Sequence, residues 1–356
     1  MIKTEMLDAD DKINVDDLKN KNVVLFGVGV YGQMVEQYLK EQDIEIAFYC
    51  DNNKDKQGTY INNIKVISPN EILKVDNYVV FVTARHCVKE ILNQLKSMNI
   101  QAISFDNFIV NSRYEEFEYV YNDILGDEKS KEVYISILKS MLTGDSKYCE
   151  KIMEGSSFYA LPNFTNTGND IFVDAGAYVG DTVEQFIWNN IGQFKKIYAF
   201  EPGEKQFMAM QYRLSRLLKE WAIPENKIQC IKAGLGIKTE EKLYFENNDA
   251  LLCNNFSGIS AEGKAKKSMI YSLDEYLNGD RVTFIKSDIE GFEMELLKGS
   301  EKTLKSYKPK LAISVYHKPD DLIEITKYLK TIVPEYKMAL RHHAPTLVDT
   351  VLYCWI

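Results

Sequence analysis

The sequence predicts an α/β protein built from two Rossmann-like units, and three observations lead to this fold class. Short apolar runs alternate with segments whose apolar residues recur at helical spacing, which is typical of parallel sheets covered by helices. The first apolar run of each series leads into a glycine-containing turn, "GVGVYG" at 27–32 and "DAGAYVGD" at 174–181. The second series closes with two apolar runs joined by "RHHAP", which indicates an antiparallel pair.

Length and composition limit the class of protein. The 356 residues are 45% apolar, enough for two cores, and the net charge of −9 argues against a nucleic-acid partner. The apolar runs are too short for a membrane span, and the acidic first residues do not resemble a secretory signal. Six dispersed cysteines fit a reducing compartment. We therefore expect a cytoplasmic protein; the oligomeric state stays open.

The first unit is expected over residues 1–110, with strands at 23–26, 44–50 and 78–82. Gly27, Gly29 and Gly32 have the spacing of a dinucleotide fingerprint, and Asp51 follows the second strand, where such units place a ribose-binding acid. These four residues form a tentative second nucleotide site. A nucleotide-sugar site or a purely structural turn explains the same spacing.

Residues 111–165 are predicted to be a helical connector, because Val133, Ile137 and Met141 fall on one helical face. A second unit is expected over residues 166–356. Its strands are predicted at 171–173, 196–200, 228–231, 282–286, 311–316, 336–340 and 346–355. This order is that of class I methyltransferases, whose seven-stranded sheet has a reversed last strand.

One long connection in the second unit, at 246–267, is polar and contains glycine. It is expected either to cover an acceptor, with Ser257 and Ser260 in contact with it, or to be an ordinary loop.

The second glycine turn is unsuited to a diphosphate. Gly176 and Gly180 are four residues apart, and the carboxylates of Asp174 and Asp181 flank the turn, where a diphosphate would meet like charge. A ligand with an ammonium, a carboxylate and a sulfonium, such as S-adenosylmethionine, fits better. Asp174 would hold the ammonium, directly or through water, and the turn N–H groups would face the carboxylate. The alternative for Asp174 is an ordinary turn acid or helix cap.

The next predicted strand ends in "IYAFEP" and supports this interpretation. Glu201 lies 27 residues after Asp174, and one carboxylate can accept hydrogen bonds from both ribose hydroxyls.

Acidic residues also follow the fourth strand, in "KSDIEGFE" at 286–293. Lys286, Asp288 and Glu290 would project to one side if the extended conformation continues. Asp288, with Glu290 beside it, is the predicted base for an acceptor hydroxyl, or the pair holds a divalent cation. Lys286 would neutralise the pair or bind an acceptor anion. The alternative for Glu290 is to cap the following helix.

His317 ends the fifth strand, at the edge where open α/β sheets bind ligands. It is a second candidate base or acceptor contact. A histidine facing solvent explains its position equally well.

Four segments resemble the FkbM-type S-adenosylmethionine-dependent methyltransferases: "FVDAGAYVGDT", "IYAFEP", "IKSDIEGFEMELLKGSEKTL" and "LAISVYHKPDDLIEI". The closing "TLVDTVLYCW" is similar to that family's last strand, so the resemblance spans about 158–356. It implies methyl transfer from S-adenosyl-L-methionine, usually to a hydroxyl on a sugar, polysaccharide or polyketide-type metabolite. The first unit looks like one that often precedes such methyltransferases and also occurs in sugar-modifying acyltransferases.

The resemblance also implies a cofactor site. It places Asp174, Gly176 and Gly180 at the methionine end and Glu201 at the ribose. The neighbouring motif residues Ala177, Tyr178 and Pro202 complete the predicted set.

Three functions remain for test. The leading hypothesis is an S-adenosyl-L-methionine-dependent O-methyltransferase acting on a sugar, glycan or other small hydroxylated metabolite. The alternative is an NAD(P)-dependent sugar-modifying oxidoreductase that uses the first glycine turn. A third hypothesis is a module that binds a nucleotide without chemistry.

Overall fold

The computed structural model describes residues 15–155, 157–165, 168–245, 256 and 265–356. It confirms the α/β fold class, with a six-stranded sheet in the first part of the chain and a seven-stranded sheet in the last part. No helix in the described ranges combines the length and apolar character needed to cross a membrane.

The six-stranded sheet has the strand order β3-β4-β2-β1-β5-β6 once its elements are numbered along the chain. The strands are β1 Asn22–Phe26, β2 Ile46–Cys50, β3 Tyr60–Ile61, β4 Ile64–Ile67, β5 Tyr78–Val82 and β6 Ala102–Ser104. The helices are α1 Val15–Leu18, α2 Val30–Glu41, α3 Pro69–Ile72 and α4 Val88–Ser97. We call this part the N-terminal unit.

Strand β1 lies at the centre of this sheet and is buried on both faces. Val23 and Leu25 pack into one core cluster, and Val24 and Phe26 pack into another on the opposite face. A strand buried on both faces has a continuous apolar sequence, which is why this one was recognisable. Strands β3, β4 and β6 were not predicted from the sequence, because they are only two to four residues long.

Helices join the two sheets. They are α5 Phe105–Ser112, α6 Tyr114–Tyr119, a π-helical turn Val120–Ile124, α7 Glu128–Thr143 and α8 Lys147–Glu150. The helical stripe predicted on α7 is confirmed, because Val133, Ile137 and Met141 are all buried. The domain boundaries at 110 and 165 stay predictions; residue 110 lies inside α5.

The remaining elements form what we call the C-terminal unit. Its strands are β7 Ile171–Ala175, β8 Lys196–Phe200, β9 Ile228–Ile231, β10 Ala233–Leu235, β11 Glu240–Phe245, β12 Ala265–Tyr271, β13 Phe284–Ser287, β14 Lys310–Ser314, β15 Lys337–His342 and β16 Thr350–Trp355. Its helices are α9 Asp181–Asn189, α10 Glu204–Glu220, α11 Leu273–Leu277, α12 Glu293–Gly299, α13 Glu301–Tyr307 and α14 Asp321–Ile332.

The seven-stranded sheet has the order β15-β16-β14-β13-β7-β8-β9. Strand β16 is antiparallel to both of its neighbours, whereas β14, β13, β7, β8 and β9 pair in parallel. The predicted seven strands and reversed last strand are therefore confirmed. The carboxyl ends of β7, β8 and β13 meet at one edge, so the residues that follow these strands are brought together.

A three-stranded sheet, β10-β12-β11, interrupts the alternation of strands and helices. It was not predicted from the sequence, because the exposed acidic and lysine side chains of β11 hide it as a strand. The connection predicted at 246–267 is corrected at its end, since residues 265–267 begin β12. Residues 246–255 and 257–264, with Ser257 and Ser260, lie outside the described part of the chain.

Two arginines attach the N-terminal part to the C-terminal unit. The Arg85 guanidinium, after β5, pairs with Asp106 and donates to the backbone carbonyl of Tyr316 at 2.8 Å. Arg113 lies 2.8 Å from Asp320 and also contacts Glu324 on α14. These buried and half-buried contacts fix the N-terminal unit beside the loop that follows β14.

Candidate functional site

A cavity of about 360 Å³ lies at the carboxyl edge of the seven-stranded sheet. Four of the seven predicted cofactor residues line it: Gly176, Tyr178, Glu201 and Pro202. The cavity has the size of a small-molecule site and occupies the usual position of a ligand in an open α/β sheet.

Gly176 brings the glycine turn against the loop after β13. Its φ is +74°, and a Cβ atom at this position would lie 2.0 Å from the carbonyl oxygen of Asp288. The backbone N–H of Asp288 donates to the carbonyl of Ala175 at 3.1 Å. Only glycine permits this approach, so the turn and the acidic loop form one rigid wall of the cavity.

Glu201 connects the glycine turn to the next strand. Its carboxylate accepts hydrogen bonds from the N–H groups of Tyr178, at 3.0 Å, and Gly203, at 2.8 Å. Burial raises the pKa of Glu201 to about 7, although both N–H groups favour the ionised form. Each carboxylate oxygen still has a lone pair that can accept a ribose hydroxyl.

Asp174 was predicted to hold a ligand ammonium directly or through water, and the structure does not support direct contact. It is fully buried and does not line the cavity. The ammonium of Lys286 lies 2.9 Å from Asp174, and the Thr182 hydroxyl donates to the same carboxylate. The two charged residues are register partners on β7 and β13, so ion pairing satisfies a carboxylate that burial would otherwise make costly.

The same contact corrects the role predicted for Lys286. Its ammonium donates to the carbonyl of Gly176 at 2.7 Å besides pairing with Asp174. It therefore neutralises Asp174 instead of the acids that follow β13.

Four N–H groups of the turn are also used differently from the prediction. Those of Gly176 and Ala177 donate to the carbonyl of Phe200, and that of Gly180 donates to the carbonyl of Ala177. These three N–H groups and that of Tyr178 therefore donate to acceptors within the protein, and not to a ligand carboxylate. Ala177 is buried, and Gly180 precedes α9 as its cap residue with a φ of +80°. Neither residue lines the cavity.

The walls of the cavity are strongly acidic. Of the described side chains that line it, five are carboxylates and one is a lysine, Lys286, which is already paired with Asp174. The five acids are Asp181, Glu201, Asp288, Glu290 and Asp349. Such a cavity favours a cationic ligand and opposes a diphosphate.

The residues after β13 reach the cavity by a route that the sequence did not predict. Extended conformation ends at Ser287, and Glu290 has a φ of +56°. Lys286, Asp288 and Glu290 nevertheless line the same cavity. Burial raises the pKa of Glu290 to about 7.

The helix-cap alternative for Glu290 is wrong. Phe292 precedes α12 as its cap residue, and the Glu293 carboxylate accepts from the Ile289 N–H at 2.8 Å. Glu293 is the first residue of α12, and its bond to Ile289 ties the preceding loop to the helix.

His317 lies close to both Asp288 and Glu290. Its Nδ1 is 3.1 Å from Oε1 of Glu293, and its Nε2 is 3.5 Å from Oδ1 of Asp288 and 3.7 Å from Oε2 of Glu290. Burial opposes the charged imidazolium, but the three carboxylates outweigh it and raise the pKa of His317 to about 10. The histidine is buried, so the solvent-facing alternative is wrong.

Asp288, Glu293 and His317 have ligand atoms within 4.8 Å of one another, as a metal site requires. This set contains Glu293 in place of the predicted Glu290. A metal-binding histidine must be neutral, whereas the surrounding carboxylates favour the protonated His317. The imidazolium of His317 already places a positive charge between these carboxylates. A divalent cation at this position stays a prediction.

The first glycine turn is closely packed. Gly27 has a φ of +122°, and a Cβ atom on Gly32 would lie 2.0 Å from the carbonyl oxygen of Gly27. The Thr83 hydroxyl donates to the same carbonyl at 2.9 Å. At Gly29, by contrast, a Cβ atom would meet nothing within 4 Å. Two of the three glycines are therefore required by the turn itself.

Asp51, the fourth residue of the tentative second nucleotide site, already has partners within the protein. Its carboxylate accepts from the N–H groups of Val28, at 3.3 Å, and Asn53, at 2.8 Å, and lies 3.6 Å from the ammonium of Lys56. A nucleotide at this site stays a prediction.

Several residues of the cavity were not predicted from the sequence. Phe158 has a φ of +63° and places its ring 5.0 Å from the Lys286 ammonium. Asp349 comes from the loop between β15 and β16, and Phe256 packs on Tyr244 at a ring distance of 4.8 Å. No spacing signal links these segments, because each reaches the cavity through tertiary packing.

The chain is similar to two known domain families. Residues 174–337 match the model of the methyltransferase FkbM domain, and residues 19–105 match that of the C2185-like N-terminal domain. No curated protein matches the sequence.

Two solved structures are similar to this chain to different degrees. An FkbM methyltransferase from Methylobacillus flagellatus is 22% identical, with 96% of this chain and 92% of that chain covered at a TM-score of 0.56. An rRNA methylase from Streptococcus thermophilus is 17% identical, with 59% of this chain and 91% of that chain covered at a TM-score of 0.32. The first of these shares the fold along nearly the whole length of this chain.

Proposed function

From the FkbM-type methyltransferase domain that this chain carries over residues 174–337, we propose an S-adenosyl-L-methionine-dependent O-methyltransferase. The acceptor is a hydroxyl of a sugar, glycan or other hydroxylated metabolite. The observation that carries the proposal is the acidic cavity at the carboxyl edge of β7, β8 and β13, with Glu201 beside the glycine turn. A sulfonium cation is favoured by such walls, whereas NAD and nucleotide-sugars would bring phosphates against them.

The residues present fit this cofactor. Glu201 would accept hydrogen bonds from the ribose hydroxyls, and Gly176 and Tyr178 would lie against the methionine part. Asp174 and Lys286 would contribute by fixing the conformation of the glycine turn. Their ion pair and the hydrogen bond from Lys286 to the Gly176 carbonyl stabilise it. When bound, S-adenosyl-L-methionine supplies an electrophilic methyl group and leaves as a neutral thioether.

Glu290 is the group best placed to receive the acceptor proton. An acceptor hydroxyl must lose its proton as its oxygen bonds to the methyl carbon, and a base with a pKa near the working pH does this best. Burial brings the pKa of Glu290 to about 7, and Glu290 lines the cavity. Asp288, bound by the Tyr316 hydroxyl at 3.1 Å, would orient the acceptor.

His317 would position this pair instead of acting as a base. Its raised pKa keeps the imidazolium charged near neutral pH, so it has no free nitrogen to accept a proton. The positive charge of His317 would stabilise the close arrangement of the Glu293, Asp288 and Glu290 carboxylates.

Isothermal titration of the protein with S-adenosyl-L-methionine, NAD and UDP-glucose tests the cofactor. We expect binding of the first alone. Preferred binding of NAD would favour the oxidoreductase alternative. Transfer of a tritiated methyl group to hydroxylated acceptors, with the product stable to alkali as an ether is, tests the reaction. Cofactor binding without transfer to any acceptor would favour the module without chemistry.

A further inference from the structure

A second cavity, of about 340 Å³, lies between the N-terminal and C-terminal units. Helix α2 forms one wall with Met34, Gln37, Tyr38 and Glu41. The loops that follow β13 and β14 form the opposite wall. The cavity therefore exists only because the N-terminal unit is packed against the C-terminal unit.

The two cavities share part of their lining. Phe256, Glu290 and Phe292 line both of them. The proposed base thus stands at the junction, with the acidic cofactor cavity on one side and the cavity beside α2 on the other. An acceptor in the second cavity would reach Glu290 without crossing the space proposed for the cofactor.

Helix α2 is held in place as a wall. A Cβ atom on Gly291 would lie 3.6 Å from Cε of Met34, so α2 is in contact with the turn that carries Glu290. Arg113 ties the other side through Asp320, at 2.8 Å, which also lines the cavity. The wall is therefore preorganised in relation to the base.

We propose that this second cavity is the acceptor site and that helix α2 of the N-terminal unit determines acceptor specificity. The inference rests on the proposed methyl transfer and extends it, because it assigns the N-terminal unit to acceptor recognition instead of nucleotide binding.

The lining indicates the chemical class of acceptor. The Phe256 and Phe292 rings lie 5.9 Å apart and offer apolar faces, while Gln37 and Gln42 offer amide donors and acceptors. A hydroxylated ring compound uses both kinds of surface.

Charge narrows this class further. The described lining has four carboxylates and two lysines: Glu41, Glu290, Glu295 and Asp320 against Lys242 and Lys318. Lys318 lies 3.2 Å from Glu295, Asp320 pairs with Arg113, and Glu290 lies 3.7 Å from His317. Glu41 and Lys242 therefore decide the charge of the lining, which has no excess of positive charge for a phosphate. We therefore expect an uncharged or amine-bearing hydroxylated ring, and not a phosphorylated one.

The matched variants Gln37→Trp and Lys40→Trp test the site. Both residues are exposed on α2, but only Gln37 lines the cavity. Saturation-transfer NMR with S-adenosylhomocysteine present uses three probes: methyl β-glucopyranoside, its 2-amino-2-deoxy analogue and glucose 1-phosphate. We expect signals from the first two probes with the wild type and with Lys40→Trp, and their loss with Gln37→Trp.

The other outcomes overturn the proposal. Unchanged glycoside signals with Gln37→Trp would place the acceptor elsewhere, and a signal from glucose 1-phosphate, or from no probe, would refute the ligand class. Calorimetry with S-adenosyl-L-methionine on the same three proteins gives an independent result. Cofactor binding without glycoside binding would reject this inference alone, whereas absence of cofactor binding would reject the proposed function.

Discussion

Arg85 and Asp288 are linked through a single residue, Tyr316. The Arg85 guanidinium donates to the backbone carbonyl of Tyr316 at 2.8 Å, and the Tyr316 hydroxyl donates to Oδ1 of Asp288 at 3.1 Å. The N-terminal unit thus contacts the residue that orients an acid of the cavity. This arrangement gives the contact between the units a part in shaping the proposed site.

Replacing Tyr316 by phenylalanine tests that link. The change removes the hydrogen bond to Asp288, so we expect kcat to fall by up to about tenfold, as a bond of about 0.5–1.5 kcal/mol allows. The Kd for S-adenosyl-L-methionine should not change. The control is Tyr328→Phe, whose hydroxyl contacts Glu301 on a neighbouring helix. A change confined to cofactor affinity would contradict the role given to Tyr316.

Replacing Glu201 by alanine tests the cofactor site. We expect the Kd for S-adenosyl-L-methionine to rise by about 10- to 100-fold, because hydrogen bonds to a charged group contribute about 1.5–3 kcal/mol. Calorimetry measures this, and Glu225→Ala, at an exposed position outside the cavity, is the control. If the Glu201 variant is folded by circular dichroism and binds S-adenosyl-L-methionine with unaltered affinity, Glu201 does not bind the ribose.

The pH profile of kcat tests Glu290. Its pKa of about 7 means that the carboxyl is protonated and inactive as a base below that pH and ionised above it. At saturating cofactor, kcat should therefore rise between about pH 6 and 8. Glu290→Gln should lower kcat by about 10²- to 10⁴-fold and abolish the rise.

If the pH profile of kcat keeps its inflection in Glu290→Gln, the base is another residue. Asp288 would then be the next candidate. Saturating cofactor is needed because the pKa of Glu201 is also raised to about 7, which would otherwise enter through cofactor binding.

Stability as a function of pH tests His317. Its pKa is raised from 6.5 to about 10, so its contribution is complete below pH 6.5 and is lost as the pH rises through 10. Over this window the wild type should lose up to about 1.4 kcal/mol of unfolding free energy per pH unit from this group.

His317→Gln should lack that dependence and should be less stable by about 3–5 kcal/mol near neutral pH, because Glu293 would stay buried without its partner. Urea denaturation at several pH values measures both effects. Parallel curves for the wild type and the variant would mean that the imidazole is neutral in the native protein.

The fold was predictable where local pattern and tertiary environment agree. Residues 23–26 of β1 and 171–173 of β7 are continuous apolar runs because both faces are buried, and glycine turns follow them. The sheet β10-β12-β11 was not predictable, because β11 is mostly exposed and carries charged side chains. A strand of this kind has no apolar periodicity by which it could be found.

The candidate site was predictable where it depends on strand ends. Glu201 and Asp288 follow β8 and β13, the parallel strands on either side of β7, so topology alone brings them to one edge. The Asp174–Lys286 ion pair depends on the register between β7 and β13, which spacing along the chain does not give. Asp349 enters the cavity through a loop between the last two strands, and only the packed structure locates it.

The contact between the glycine turn and the loop after β13 constrains how this protein can diverge. With the carbonyl of residue 288 occupying the space where a side chain at residue 176 would begin, neither segment can change its path alone. Mutations that remodel one must be accompanied by changes in the other. These two stretches, more than a hundred residues apart in sequence, should therefore change together, whereas an exposed position of helix α2 such as Gln37 can change without affecting either of them.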